Sequence, residues 1–300
     1  MPHLNRRLHR RGRKLSPLAI VGICLGAAVL IALIVGNILN AWLDDEAVEA
    51  LKGTQPEQSE PPTPDLPTRT VPSVRSYPFA LGDDVRKLTS DAETQLNSVT
   101  VSLNTSDGKV TYRSNVADYL GLTSLTDASL RDEMSKLTSE IPYVCGAFYL
   151  PALSDADNAD LLYAMAASDA ALMREFIHAG GSEILLLGGS FDSDTLPYLS
   201  DYITLLKAAL GNTPVVLSVP LEIAMGTDQW QLLPSLRPLA DLLAVDLREI
   251  SDTDMEQALL DSNYYVSAYD MRLVMSESQT GWISAVEEIY SDYQIVSATE

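Results

Sequence analysis

The chain has 300 residues, a formal net charge of −21 and only two cysteines. All 41 acidic residues follow position 43, whereas six of the 20 basic residues lie before position 15. Such an acidic surface repels polyanions and excludes a nucleic-acid-binding role. Cys24 and Cys145 fall in separate predicted segments, so we expect no disulfide and a domain held together by packing alone.

An apolar run without charges extends from Leu18 to Val35 and continues with interruptions to Leu43. As a helix it is long enough to cross a bilayer core of about 30 Å. Basic residues precede it and acids follow it, which indicates a cytoplasmic amino terminus. We therefore predict a basic cytoplasmic tail at 1–15 and a single-pass anchor in the lipid bilayer of the cell membrane at 16–43. A cleaved signal peptide is the alternative, but the length of the run and Trp42 at its end favour an uncleaved anchor.

Small residues recur at four-residue spacing inside this predicted helix, beginning with Gly22 and Gly26. Such spacing lets two membrane helices approach closely. A homodimer through the membrane helix is therefore a hypothesis that the sequence permits.

Residues 44–78 are acidic and rich in proline, with seven prolines between positions 56 and 78. A segment of this composition cannot bury a core and forms an extended, semi-rigid chain. We predict a stalk here, followed by an extracytoplasmic folded domain at 79–300.

From position 99 onward, short β-rich runs alternate with longer segments of helical period. The predicted strands are 99–103, 143–149, 183–187, 214–219, 242–247, 265–269 and 293–297. The predicted helices are 127–139, 156–179, 195–210, 228–240, 252–261 and 280–291. A helix after each strand except the last predicts a parallel sheet, which is either a closed barrel or an open doubly wound sheet.

The two faces of the predicted strands differ in polarity. In 242–248 one face is strongly apolar, whereas Ala244, Asp246 and Arg248 share the other face. The segments 99–104 and 215–222 show the same division. An open sheet covered by helices on both sides needs two apolar faces, so the pattern favours a barrel with a polar mouth.

We therefore predict an α/β fold, a degenerate TIM-like (β/α) barrel with about seven visible βα units, preceded by one transmembrane helix. The sequence shows no eighth strand. Three alternatives remain: the barrel closes with seven strands, the segment 77–97 contributes, or the barrel stays open.

In (β/α) barrels the functional residues lie at the carboxyl ends of the strands. Glycoside hydrolysis needs two carboxyl groups that flank the scissile bond. The candidates are Glu222 as general acid, with Asp246 or Asp270 as base or nucleophile. The pattern Ala-x-Asp-[Leu/Met]-Arg ends at Arg248 and again at Arg272. The alternative is therefore that Asp246–Arg248 and Asp270–Arg272 are ion pairs that close the barrel mouth.

Metal chemistry has little support in the sequence. His178 is the only histidine beyond the predicted tail, which excludes a histidine-rich zinc site. Oxygen-ligand metals remain open, but we predict no metal site and no cofactor.

The segment 106–114, with the sequence SDGKVTYRS, directly follows the first predicted strand. It reads as an Asp-Gly turn with a short β-ribbon. It also resembles the opening of a bacterial family of candidate glycoside hydrolases with a TIM-barrel fold. The residues that carry the match are Asp107, Gly108, Val110, Tyr112 and Ser114. The resemblance implies a barrel that engages a cell-envelope or extracellular glycan.

Two charged positions of that family are neutral here. The family has Asp-Val-Lys where this chain has Ser102-Leu103-Asn104 after Val101, and an Asp where this chain has Leu186-Leu187-Gly188-Gly189. The comparison predicts a glycoside-hydrolase-like barrel that is catalytically degenerate. The candidate substrate-binding residues are Asn104, Asp107, Tyr112, Arg248 and Arg272.

Two other functions remain open. One is a non-catalytic binding or scaffolding barrel at the bacterial cell surface. The other is an open α/β sensor domain, whose ligand would lie where the strand order reverses.

Overall fold

The computed structural model describes residues 71–86, 96–153, 159–189, 191–192, 194–225 and 232–297. The predicted tail, anchor and most of the stalk lie outside these residues. Within the described ranges, no helix is both long and apolar enough to cross a membrane.

Eight parallel strands form a closed barrel in chain order within this part of the chain. They are β1 (Arg75–Pro78), β2 (Ser98–Ser102), β3 (Val144–Tyr149), β4 (Glu183–Leu187), β5 (Val215–Pro220), β6 (Leu242–Asp246), β7 (Arg272–Ser276) and β8 (Tyr293–Val296). Closure occurs at β1, where Ser76 lies opposite Ser98 of β2 on one side and Gln294 of β8 on the other. The predicted barrel is confirmed, and the open sheet is wrong.

The described helices pack around the outside of the barrel. They are α1 (Asn115–Leu120), α2 (Leu130–Glu140), α3 (Ala159–His178), α4 (Leu196–Leu210), α5 (Leu221–Met225), α6 (Leu232–Leu236), α7 (Met255–Tyr269) and α8 (Ile283–Ile289), with a 3₁₀ helix at Glu277–Trp282 before α8. An amphipathic helix that follows a strand buries its apolar side on the barrel wall, as in other (β/α) barrels.

The strand predicted at 265–269 is wrong. These residues form the end of α7, and the strand of this unit is β7, which begins at Arg272. Asp270 ends the helix in the left-handed conformation, with φ 51°. Tyrosine and valine at 264–266 suggested a strand, but such propensities are weak and a long helix that packs on the barrel overrides them.

The eighth strand comes from the predicted stalk. Residues 75–78 form β1, and Val71 before it is 2% exposed and packs inside the barrel. Pro72 and Pro78 had made this segment look like linker. Pro78 is the last residue of β1, a position where a strand tolerates the missing N–H group. The barrel therefore includes residues at least eight positions before its predicted start at 79.

The predicted difference between strand faces is confirmed. Outward side chains such as Val101, Leu217 and Val245 pack in the large core against the helices. The inward apolar side chains form a separate cluster along the barrel axis. Its members are Val71, Ala147, Leu185, Leu187, Val216, Leu242, Ala244, Val274 and Val296. This cluster separates a polar set at the amino-terminal end of the strands from another at the carboxyl end.

Candidate functional site

The carboxyl end of the barrel is the expected place for a site. Since side chains alternate along a strand, the inward cluster and the hydroxyl contacts of Ser76 with Thr100 and of Ser98 with Cys145 identify which residue of each strand faces the barrel axis at this end. These residues are Pro78, Ser102, Tyr149, Leu187, Pro220, Asp246, Ser276 and Val296. Among these eight strand ends, only Asp246 carries a carboxylate.

The Asp246 carboxylate is fully engaged. Arg248 Nε lies 2.9 and 3.1 Å from the two carboxylate oxygens, and Arg248 Nη2 donates to Oδ2 at 2.7 Å. The backbone N–H of Arg248 and the hydroxyl of Ser218 also donate to it, at 3.0 and 2.6 Å. The two charged side chains are only 10% and 14% exposed. The mouth therefore contains a fixed, charge-neutral pair, as one of the two sequence-based alternatives predicted.

Tyr149 at the end of β3 completes this group. Arg248 Nη1 donates to the Tyr149 hydroxyl at 2.9 Å, and Arg248 Cζ lies 5.2 Å from the ring centroid. Burial by itself would lower the pKa of the Arg248 guanidinium, but the hydrogen bonds and charge of Asp246 outweigh it and the pKa is raised. Arg248 therefore stays protonated.

Asn104 positions Tyr149 through its backbone. The Asn104 amide donates to the Tyr149 carbonyl at 3.0 Å and accepts from the Tyr149 N–H at 2.7 Å. Asn104 was predicted to bind substrate, but both ends of its amide are used in this contact. Its role in the structure is to fix the end of β3 against β2.

Asp270 lies at the opposite end of the barrel from Asp246, whereas Glu222 follows β5 at the same end. Glu222 lies in the first turn of α5 and is exposed, with no hydrogen bond to Asp246. Asp270 precedes β7 and so lies at the amino-terminal end of the barrel, opposite the mouth. Its predicted place at a strand's carboxyl end is wrong because the strand itself was misplaced. The structure thus does not bring the three candidate catalytic carboxylates together.

Arg272, as the first residue of β7, also lies at the amino-terminal end. Its guanidinium pairs with Glu183 and donates to Asp292 at 3.0 Å, to Gln294 at 2.9 Å and to the Pro72 carbonyl at 3.2 Å. Glu183 also accepts from the Tyr143 hydroxyl at 2.9 Å. Arg272 is therefore part of a buried network that holds the bottom of the barrel, and its predicted place at the mouth is wrong.

The segment after β2 forms the predicted Asp-Gly turn, with Gly108 at φ 81° and an antiparallel bridge between Asn104 and Val110. Asp107 is exposed and pairs with Lys109 at 2.5 Å. Tyr112 is fully buried, and its hydroxyl lies 3.3 Å from the Leu172 carbonyl of α3. Tyr112 was predicted to bind substrate, but the structure places it in the outer core.

Tyr149 and Ser218, which contact Arg248 and Asp246 at the mouth, were not predicted as site residues. The strand periodicity did place Ser218 on the polar face, and the same alternation places Tyr149 at an inward strand end. The sequence did not show that Tyr149 meets Arg248, because β3 is far from β6 along the chain, nor which residue of β6 lies beside Ser218 of β5. Within the described ranges, no group of three or more histidine, cysteine or acidic side chains could hold a metal ion.

No protein-family model matches the sequence, and no curated protein matches it. Similar solved structures include a candidate alpha-L-fucosidase from Bacteroides thetaiotaomicron, with a TM-score of 0.50 and 9% identity over 81% of this chain and 90% of that one. A GH18 chitinase from Pseudoalteromonas aurantia has a TM-score of 0.46 and 10% identity, over 74% of this chain and 93% of that one. A chitinase from Chromobacterium violaceum has a TM-score of 0.43 and 17% identity over 68% of each chain. The likeness is one of fold: this chain has a TIM barrel.

Proposed function

We propose that this protein is a membrane-anchored, extracytoplasmic barrel that binds a cell-envelope or extracellular glycan at its mouth without hydrolysing it. The observation that carries the proposal is the state of Asp246. Its carboxylate, the only one among the eight inward strand ends, is already bound by Arg248 and Ser218.

Hydrolysis of a glycosidic bond would need more than this mouth offers. In most glycoside hydrolase families, two carboxyl groups face each other about 5–9.5 Å apart, one protonated and the other free to act as base or nucleophile. A general acid of this kind typically lies in an apolar pocket, whereas Glu222 is exposed on α5. An Asp246 bound side-on by an arginine would have to break that pair before it could attack.

The proposed position of the protein at the membrane rests on its sequence. The apolar run at 16–43 with its basic flank supports a single-pass anchor with a cytoplasmic amino terminus. The proline-rich residues that follow would hold the barrel away from the bilayer. Protease added outside intact cells should then release a fragment that contains the barrel, whereas resistance of the whole chain until the cells are lysed would contradict the location.

Binding and hydrolysis can be tested together on the full chain in nanodiscs. The protein is applied to an array of bacterial envelope and extracellular polysaccharides, and the same glycans are assayed for newly formed reducing ends. We expect binding without product. Product formation that disappears in both Glu222→Gln and Asp246→Asn would overturn the proposal and favour the hydrolase, whereas absence of any glycan binding would favour a scaffolding barrel.

A further inference from the structure

We propose that Arg248 and Tyr149 form the ligand contact of the mouth, and that they bind an uncharged sugar residue through its oxygen acceptors. This inference rests on the proposed glycan-binding function and adds to it the residues and the ligand class. Four observations support it. Arg248 and Tyr149 have hydrogen-bond donors left over, they lie at the open end of the barrel, their orientation is fixed by neighbours, and the charge of Arg248 is compensated by Asp246.

The spare donors follow from the hydrogen bonds of Arg248. A guanidinium has five N–H donors. Arg248 uses Nε–H and one Nη2–H on Asp246, and one Nη1–H on Tyr149. One N–H on each terminal nitrogen thus has no acceptor in the described part of the chain, and neither does the Tyr149 hydroxyl proton. By contrast, Arg272 at the other end uses all five donors.

The position of these donors suits a ligand. Tyr149 faces the barrel axis at the carboxyl end, where ligands of (β/α) barrels bind. Arg248 is partly exposed there, whereas Arg272 is completely buried. Its remaining N–H groups can therefore meet a ligand from solvent.

Both residues are held in place before a ligand arrives. Arg248 is fixed by two contacts with Asp246, which Ser218 holds from β5 at 2.6 Å. The backbone of Tyr149 is fixed by the Asn104 amide, which bonds both its N–H and its carbonyl group. A ligand that accepts from these groups has little side-chain ordering to induce, which favours affinity.

The charge of the site selects among ligands. Asp246 compensates Arg248, so the pair has no net charge to attract an anion. The neighbouring Glu249 and the formal charge of −21 add a negative field. A sugar carboxylate would be repelled by this field, whereas hydroxyl or carbonyl oxygens of an uncharged sugar accept hydrogen bonds without that cost.

The test compares Arg248→Lys and Tyr149→Phe with the native full chain in nanodiscs. Lysine keeps the charge next to Asp246 but has no guanidinium fork, and phenylalanine keeps the ring but has no hydroxyl. The matched controls are Arg131→Lys on α2 and Tyr198→Phe on α4, which change exposed residues of the same types. Ligands are uncharged oligosaccharides and oligosaccharides that contain uronic acids, compared at low salt, and unfolding midpoints verify that each variant is folded.

Arg248→Lys should bind uncharged oligosaccharides about ten- to a hundredfold more weakly than the native chain, the usual effect of losing a hydrogen bond to a charged group, and Tyr149→Phe about two- to tenfold more weakly, since its hydroxyl is neutral. The controls should bind like the native chain. If the native chain binds glycans and both variants, Tyr149→Phe and Arg248→Lys, bind them as tightly as the native chain does, these two residues are not the ligand contact. The glycan-binding function would still stand. A preference for uronic acids would overturn the ligand class, and a native chain that binds no glycan would overturn the function itself.

Discussion

Arg272 and Glu183 form an ion pair inside the barrel in which neither side chain is exposed. The pair joins β7 to β4 across the barrel axis, and Asp292, Gln294 and the Pro72 carbonyl take the remaining guanidinium donors. A buried charge is tolerated only when it is paired and hydrogen-bonded. The network therefore fixes the positions of strands that are far apart in sequence, and it attaches residue 72 to the bottom of the barrel.

Removal of this arginine should be costly. Arg272→Leu leaves the Glu183 and Asp292 carboxylates buried without their cation, so we expect the free energy of unfolding to fall by about 3–5 kcal/mol. Urea denaturation of the variant measures this loss. Lys136→Ala is the matched control, because Lys136 pairs with Glu133 on the surface of α2 and its removal should not measurably change stability. An Arg272→Leu variant as stable as the native chain would show that the network contributes only geometry.

The close packing of α3 on the barrel gives a second prediction. A Cβ added at Gly181 would lie 2.1 Å from Cε1 of the buried Phe176 ring, whereas one at Gly281 would meet nothing within 4 Å. We expect Gly181→Ala to destabilise by about 1–3 kcal/mol through overpacking, and Gly281→Ala to be close to neutral. The double variant Gly181→Ala/Phe176→Leu should lose less than the two single losses combined, since the smaller side chain removes the clash. Strict additivity in the denaturation midpoints would contradict this contact.

Asp169 gives a pH-dependent prediction. Burial raises the pKa of Asp169 to about 6 from its ordinary value of 3.8, and the hydrogen bond from Tyr202 offsets only part of this effect. The folded state therefore keeps a proton that the unfolded chain loses near pH 4. The stability due to this proton is complete below pH 4 and is lost as the pH rises through 6.

The measurement is the difference in unfolding free energy between the native chain and Asp169→Asn at several pH values. Between pH 4 and 7, the native chain should lose on the order of 1–3 kcal/mol relative to the variant. Asp201→Asn, which changes an exposed residue of α4, serves as the control and should follow the native curve. A pH-independent difference for Asp169→Asn would mean that this carboxyl titrates normally in the folded state.

The barrel itself could be predicted from the sequence because its signals are local. Strands such as β2 and β6 alternate an apolar face with a smaller, more polar one, and this alternation needs no knowledge of partners. The two errors concern elements whose local composition opposes their structure. Tyrosine and valine near position 265 favour a strand but lie in α7, and prolines at 72 and 78 favour linker although Pro78 is the last residue of β1 and Pro72 shortly precedes it.

The site was harder to predict for a different reason. Asp246 and Arg248 are two residues apart, so their pairing could be expected from strand geometry. Arg272 shares the same local pattern, but its partners Glu183 and Pro72 come from distant parts of the chain. Ser218 reaches Asp246 through the pairing of β5 with β6, whereas Tyr149 of β3 reaches Arg248 only because the sheet curves into a barrel.

Asp246 is held as an ion-paired, structural carboxylate in the barrel mouth. The most direct test is the free energy of unfolding of Asp246→Asn. We expect Asp246→Asn to lower the free energy of unfolding by about 2–4 kcal/mol, because Arg248 remains largely buried without its counterion. An active-site carboxylate behaves differently, since catalytic groups are commonly held at a cost to stability. A variant as stable as the native chain, or more stable, would contradict the claim and restore Asp246 as a catalytic candidate.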